Sequence, residues 1–250
     1  MSFDLHLGDC LEVMRSLPSN SVDLIFTSPP YNLGTSTTGS RFPEGNGQWG
    51  KPPLADGYAS HDDAMPYAEY VSWQKEVLSE CWRLLTDKGA IYYNHKPRVQ
   101  SGVLQTPLDL NPNLPVRQIV IWKRSGGFNF NASFYLPTHE WVVIFAKPDF
   151  RLRDRKASGA KDVWEVAQEM KNEHPAPFPV ALPMIALETT TAQVILDPFA
   201  GSGTVGVACA RMGRKFIGIE LDPGYHKSAS ERISAEYKRM ASQEEPLIKI

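Results

Sequence analysis

Apolar residues in this chain fall into short runs separated by stretches with helical spacing. The runs Leu5–Leu7, Val22–Thr27, Ala90–Asn94, Gln118–Trp122, Trp141–Lys147, Val194–Leu196 and Lys215–Glu220 read as strands. Several are continuous rather than alternating, as expected where helices cover both faces of a sheet. Ala68–Leu85 sets Tyr70, Trp73, Val77, Cys81 and Leu84 three or four residues apart, which predicts a helix stopped by Thr86-Asp87-Lys88-Gly89. Val205–Met212, closed by Gly213, and the charged stretch Tyr225–Met240 read as two more helices. Strands alternating with helices predict an α/β fold with a largely parallel sheet.

Three stretches break the rhythm. Residues 34–62 are rich in glycine and proline without periodicity and read as a long mobile loop. Thr106–Pro115 reads as a turn region, and residues 150–162, with Arg151, Arg153, Arg155, Lys156 and Lys161, as an exposed basic arm. The 250 residues suffice for one large domain with its own core, and 1–250 reads as a single domain.

Composition removes several classes. The start Met1–His6 has no basic stretch leading into an apolar one, so no secretory signal is expected. The apolar run Trp141–Ala146 is far shorter than a membrane span. Cys10, Cys81 and Cys209 are scattered, which argues against a disulfide scaffold or a metal site and favours a reducing cytoplasm. A net charge of −2 weighs against a nucleic-acid partner until it is divided along the chain. Residues 88–156 hold 11 Lys and Arg against 4 Asp and Glu, so a basic face is expected there.

Two segments carry candidate chemistry. Asp197-Pro198-Phe199-Ala200-Gly201-Ser202-Gly203-Thr204 follows a strand and opens a helix, a place where backbone amides meet a ligand. The next strand ends in Glu220-Leu221, an acid placed for ribose hydroxyls. Taken alone, the spacing Gly201-x-Gly203-x-x-Gly206 also fits a structural turn or a nicotinamide dehydrogenase. Against the dehydrogenase, four residues separate strand from glycines, and no second domain follows the loop. The other segment is Ser28-Pro29-Pro30-Tyr31-Asn32, at the carboxyl end of a buried strand. Two prolines there remove backbone donors and leave carbonyl acceptors beside an aromatic face. Such a corner suits a planar group bearing an amine.

Together, in this order, the two segments resemble the β-type, permuted amino-methyltransferases that act on exocyclic amines of DNA bases. Their corner corresponds to Ser28–Tyr31 and their Phe-x-Gly-x-Gly loop to Phe199–Gly203. The resemblance continues through Leu7–Cys10, Pro137–Glu140 and His174–Pro179 and covers nearly the whole chain. It implies a Rossmann-like methyltransferase fold: a seven-stranded, mostly parallel sheet with helices on both faces and one antiparallel strand, Trp141–Lys147. It further implies S-adenosylmethionine as cofactor and no metal. Asp9, Cys10, Phe178, Asp197, Pro198, Phe199, Ala200, Gly201, Ser202, Gly203, Thr204, Glu220 and Leu221 would line the cofactor, with no catalytic role for Cys10.

Ser28, Pro29, Pro30 and Tyr31 would grip a flipped base, with Asn32, Lys123, Arg124, His139 and Glu140 around its pocket. Arg151, Arg153 and Arg155 would approach DNA. In that family Ser at the first corner position goes mainly with cytosine N4 and Asp or Asn with adenine N6, so the resemblance implies cytosine N4 over adenine N6. Double-stranded DNA is the implied partner, with a second copy of the chain and a cognate restriction endonuclease as further candidates and no membrane. An RNA or protein amide methyltransferase and a non-catalytic DNA-binding module are the other readings.

Overall fold

The computed structural model describes residues 2–32, 64–100, 102–124, 133–167 and 178–244. Along the chain run β1 (Phe3–Leu7), α1 (Cys10–Ser16), β2 (Val22–Thr27), α2 (Tyr67–Leu84), β3 (Leu85–His95), β4 (Arg98–Gln100), β5 (Val103–Gln105) and a 3-10 turn (Pro107–Leu110). These are followed by β6 (Val116–Lys123), β7 (His139–Ala146), α3 (Arg155–Ser158), β8 (Val163–Glu165), α4 (Ala181–Glu188), β9 (Val194–Asp197), α5 (Thr204–Arg211), β10 (Lys215–Glu220) and α6 (Pro223–Glu244).

Among the described residues, eight strands form one sheet in the order β1-β10-β9-β2-β3-β7-β6-β8. Only β7 runs against its neighbours, pairing antiparallel with β3 and β6, as the resemblance implied for Trp141–Lys147. The eighth strand is a correction to the expected seven. Val163–Glu165 emerges from the basic arm and pairs parallel with Ile121–Lys123. Three residues are too few to show a period.

Alternate residues of each strand feed two cores. On one face Phe26, Tyr92, Val142 and Ile195 meet Leu182, Ala186, Val205 and Ile233 from α4, α5 and α6. On the other Ile25, Tyr93, Phe145 and Leu196 meet Met14 of α1 and Tyr70, Leu78 and Cys81 of α2. Both faces being covered explains why the strand sequences are continuously apolar.

Helix α2 matches its expected span within one residue, but its stop does not. Thr86–Gly89 continues into β3, and the register against β2 slips between Val22 and Leu24 to absorb the extra residues. Asp23 fixes this end of the sheet: its Oδ2 accepts the amides of Gln193 and Val194, each at 3.0 Å, tying β2 to the start of β9. No helix among the described residues is long and apolar enough to cross a membrane. They contain no cluster of potential metal ligands either.

The last glycine of the Gly201–Gly206 spacing serves packing. A Cβ on Gly206 would stand 2.5 Å from Ile233 Cδ1 and 2.9 Å from Phe216 Cδ1, so α5 reaches α6 only without one. Gly206→Ala is expected to cost about 1–3 kcal/mol by overpacking, measured by urea unfolding. Adding Ile233→Val, which removes the offending methyl, should recover part of that loss.

Candidate active site

Strands β9, β2 and β3 deliver their carboxyl ends to one edge of the sheet, where ligands bind in such folds. Thr27, the last residue of β2, donates its hydroxyl to Asp197 Oδ1 at 2.8 Å. The same oxygen accepts the Phe199 amide at 3.1 Å, which turns the chain out of β9 into the glycine loop. Asp197 is 1% exposed, and its Oδ2 has no hydrogen-bond partner among the described residues. Burial pushes its carboxyl up to about 7 against the pull of those two donors.

Glu220, at the tip of β10, brackets the loop from the other side. Its Oε2 accepts the Gly201 amide at 2.8 Å and its Oε1 the Asp222 amide at 2.9 Å. Burial raises its carboxyl, while those amides oppose the rise. Gly201 and Gly203 have φ of 51° and 75°, a left-handed turn that suits glycine. A Cβ on Gly203 would meet Ile233 at 2.9 Å, so this glycine too faces α6. Arg232 Nη1 donates to the Ser202 carbonyl at 2.8 Å and lies 3.3 Å from Thr204 Oγ1. Asp9 caps α1, its Oδ1 accepting the amides of Leu11 and Glu12 at 2.9 and 3.1 Å. Cys10 follows on that helix with its thiol pushed up to about 12 by burial, so it stays protonated. Phe199 stands edge-on to Trp73, with ring centres 5.7 Å apart. Phe178 packs instead against Phe26 at 5.7 Å, and Ala200 and Pro198 are buried while Leu221 is exposed.

The corner forms a second, connected assembly. Ser28 Oγ lies 2.9 Å from Tyr31 Oη, and Tyr31 donates to Glu140 Oε2 at 2.9 Å. Asn94 Nδ2 donates to Tyr31 Oη and to Glu140 Oε2, both at 2.9 Å. Arg124 Nη1 closes the far side at 3.1 Å from Glu140 Oε1, and both side chains are largely shielded, at 15% and 7% exposure. Ring to ring, His95 covers Tyr31 at 4.5 Å. Arg98 Nη1 donates to the carbonyls of Tyr31 and Asn32 at 3.0 and 2.5 Å and so pins the exit of the corner. Asn32, with φ of 53°, holds the Met65 carbonyl through Nδ2 at 2.8 Å.

Tyr70 Oη lies 2.7 Å from the Pro30 carbonyl and 2.8 Å from His95 Nε2. A carbonyl can only accept, so the phenol proton goes to Pro30, and the neutral His95 ring has one N–H to give, either from Nε2 to Tyr70 or from Nδ1 to the Lys96 carbonyl. Burial pulls the His95 imidazole down to about 3, outweighing the Lys96 carbonyl 3.2 Å from Nδ1.

The corner and the glycine loop therefore meet at one edge, as the sequence led one to expect, and Arg124 and Glu140 join the corner. His139 is half-buried beside them. Lys123 points outward to Glu165 at 3.0 Å. Register places Arg151, Arg153 and Arg155, which were expected to approach DNA, away from the corner. Ala146 pairs with Ala90, and the Arg153 amide bonds the Thr189 carbonyl at 2.8 Å, so the arm leaves at the opposite end of β3. Arg151 folds back onto the Pro148 and Phe150 carbonyls. Arg153 pairs with Asp154, and Arg151 and Arg155 line a groove of about 420 Å³ with Tyr92 and Trp164. The basic excess is thus split between two ends of the sheet.

Sequence reasoning passed over Asn94, His95, Arg98 and Tyr70. A polar Asn94-His95-Lys96 ending an apolar strand was the available signal, since carboxyl ends are where such folds place ligands. The segments 34–62 and His174–Pro177 lie outside the described residues.

His95 gives a pH dependence. Its ordinary value is near 6.5 and its folded value about 3, so between these the unfolded chain binds the proton and the native one does not. Stability should therefore fall as pH drops from 6.5 toward 3. In urea unfolding at pH 7 and pH 4.5, His95→Gln is expected to lose less stability between the two than the parent chain.

Comparison with known proteins follows the same lines. The DNA methylase family model for N6 and N4 enzymes matches residues 22–231. Type II methyltransferase M.HpaI from Haemophilus parainfluenzae is 25% identical over 262 residues, covering 95% of this chain and 76% of the relative. DNA adenine methyltransferase YhdJ of Escherichia coli K12 is 27% identical over 263 residues, covering 90% and 81%. Among solved structures, TTHA0409 from Thermus thermophilus in complex with S-adenosyl-L-methionine superposes with a TM-score of 0.65 at 26% identity, covering 94% and 96%. The PvuII cytosine-N4-specific DNA methyltransferase shares the fold, with a TM-score of 0.71 at 19% identity over 98% and 94%. With its glycine loop and its Ser-Pro-Pro-Tyr corner on neighbouring strand tips, and a family match across most of its length, this chain belongs to the N6/N4 DNA methylase family.

Proposed function

We propose that the protein is a site-specific DNA methyltransferase that moves a methyl group from S-adenosylmethionine to the N4 amine of a flipped-out cytosine. The carrying observation is the Thr27–Asp197 hydrogen bond, which sets the corner and the glycine loop side by side although 170 residues separate the two partners. The residues present fit such a cofactor. Asp197 Oδ2 is a buried acceptor in need of a donor, and with Glu220 it makes the loop a place for a cation bearing hydroxyls. Phe199, Gly201, Glu220 and Asp9 would hold it. S-adenosylmethionine, when bound, supplies an electrophilic methyl on a sulfonium.

The rest falls to the chain's own groups. A base amine is a weak nucleophile because its lone pair is delocalised into the ring, and it is out of reach inside a duplex. Ser28 Oγ and the Pro29 carbonyl accept its two hydrogens, which localises the lone pair. Tyr31 stacks on the flipped ring, a contact worth about 1–3 kcal/mol per base. Alignment then suffices for direct transfer: the amine nitrogen would bond the methyl as the sulfonium releases it, and one amine hydrogen would leave as a proton to solvent. No thiol intervenes, because burial holds Cys10, Cys81 and Cys209 protonated. With the arm arginines at the far end of the sheet, contact with DNA phosphates falls to the side bearing Lys96, Arg98 and Lys123. A second subunit, either another copy or a cognate endonuclease, would complete the sequence readout.

Adenine N6 is the second reading, favoured by the similarity to an enzyme named as a DNA adenine methyltransferase. Incubating plasmid DNA with the protein and labelled S-adenosylmethionine, then weighing the nucleosides, decides between them. N4-methylcytosine is expected. N6-methyladenine would replace the base assignment, and no methylated nucleoside would overturn the proposal. Ser28→Ala and Tyr31→Ala should each lower turnover by about 100-fold or more while cofactor binding by calorimetry stays intact.

A further inference from the structure

We infer that Glu140 is a positioning residue that turns Ser28 into an obligate hydrogen-bond acceptor, acting through the hydroxyl of Tyr31. The inference rests on the reading of Ser28 as a partner of the base amine. It follows from counting protons. A serine hydroxyl can donate or accept, and only acceptance helps a nitrogen that still carries hydrogens. Glu140 is a carboxylate paired with Arg124 at 3.1 Å, so its Oε2 can only accept. Tyr31 has one proton and spends it there, at 2.9 Å.

Two lone pairs remain on Tyr31 Oη. One takes an Asn94 Nδ2 hydrogen at 2.9 Å. The other faces Ser28 Oγ, also at 2.9 Å, and with no phenol proton left the serine must be the donor. The second Asn94 hydrogen goes to Glu140 at 2.9 Å, which leaves the 3.3 Å approach to Ser28 as the weakest of the three. The Ser28 proton thus points at Tyr31, and apart from the long approach of Asn94 no donor of the cluster is aimed at Ser28 Oγ, which leaves it lone-pair density for the substrate. Arg124 and Asn94 keep the direction from reversing: one pairs with Glu140 Oε1 and fixes the carboxylate in place, and the other occupies the lone pair that could otherwise let Tyr31 rotate.

Replacing the carboxylate by its amide tests the direction without changing shape. In Glu140→Gln the amide oxygen stays with Arg124, and the amide nitrogen, a donor, faces Tyr31. The phenol proton must then go elsewhere, with Ser28 Oγ beside it, and the serine proton is freed to point at the amine. Turnover is expected to fall about 10-fold or more, with KM for DNA and the dissociation constant for S-adenosylmethionine within about threefold of wild type. Tyr31→Phe keeps the ring and the Arg124–Glu140 pair, so it remains informative if the buried Arg124 destabilises Glu140→Gln. It should lower turnover in the same way.

The decisive comparison is the double variant. Adding Glu140→Gln to Tyr31→Phe should cost far less than Glu140→Gln does alone, because the route from Glu140 to Ser28 runs through the missing hydroxyl and only the bond to Asn94 is left to lose. Additive losses, or wild-type turnover in either single variant, would overturn the inference while leaving the methyltransferase reading in place. A wild-type protein that binds the cofactor yet methylates no DNA would overturn both.

Discussion

One hydrogen bond joins the two halves on which everything else depends. Thr27 ends β2 and Asp197 ends β9, and the two strands lie side by side with Leu24 opposite Ile195 and Ile25 opposite Leu196. Their pairing is short, and the tips would diverge into separate loops without a tie. A buried carboxylate without donors is costly, so Asp197 must be held by what surrounds it. Thr27 and the Phe199 amide satisfy one oxygen, and by doing so they fix where the corner leaves β2 and where the glycine loop leaves β9. The opposite end of β2 is tied in kind, by Asp23 to the amides that open β9. A strand clamped at both ends gives the corner a rigid base, and the Ser28–Tyr31 geometry depends on that rigidity.

Charge is placed with the same economy. Beside the glycine loop stand buried acids whose pKa values burial raises, Asp197 and Glu220. Beside the corner the acid is Glu140, and it is compensated in place by Arg124. One edge of the sheet therefore holds an unsatisfied buried acceptor, Asp197 Oδ2, at one point and an acid paired with Arg124 a strand or two away. His95 lies with the latter, and burial keeps it uncharged against the Tyr31 ring at neutral pH.

Much of this was legible in the sequence. The continuous apolar runs located seven strands of the main sheet, since burial on both faces leaves no alternation to blur. The antiparallel strand and the pairing of corner with glycine loop were implied by the family resemblance that the two motifs carry. Local patterns could not reveal what tertiary contacts decide. Val163–Glu165 is a three-residue edge strand that owes its form to Ile121–Lys123 beside it. Thr86–Gly89 reads as a helix stop, yet it is drawn into β3 by pairing with β2. The arginines of residues 150–162 have the composition of a DNA-contacting arm, and only the β3–β7 register puts them at the other end of the sheet. Glycine spacing misled in a milder way: Gly203 and Gly206 keep their place for Ile233. Asn94 and Arg98 carried no motif at all, and their roles appear only once Tyr31 and Glu140 are neighbours.

The dependence of the cofactor loop on the corner strand can be measured directly. Thr27→Val removes from β2 one hydroxyl, the one that donates to Asp197. Calorimetric titration of this variant with S-adenosylmethionine should show affinity lowered by about 10-fold, the equivalent of one charge-assisted hydrogen bond, together with slower methylation of DNA. Unchanged affinity and unchanged turnover in a folded Thr27→Val protein would contradict the idea that this bond holds the two halves of the site together.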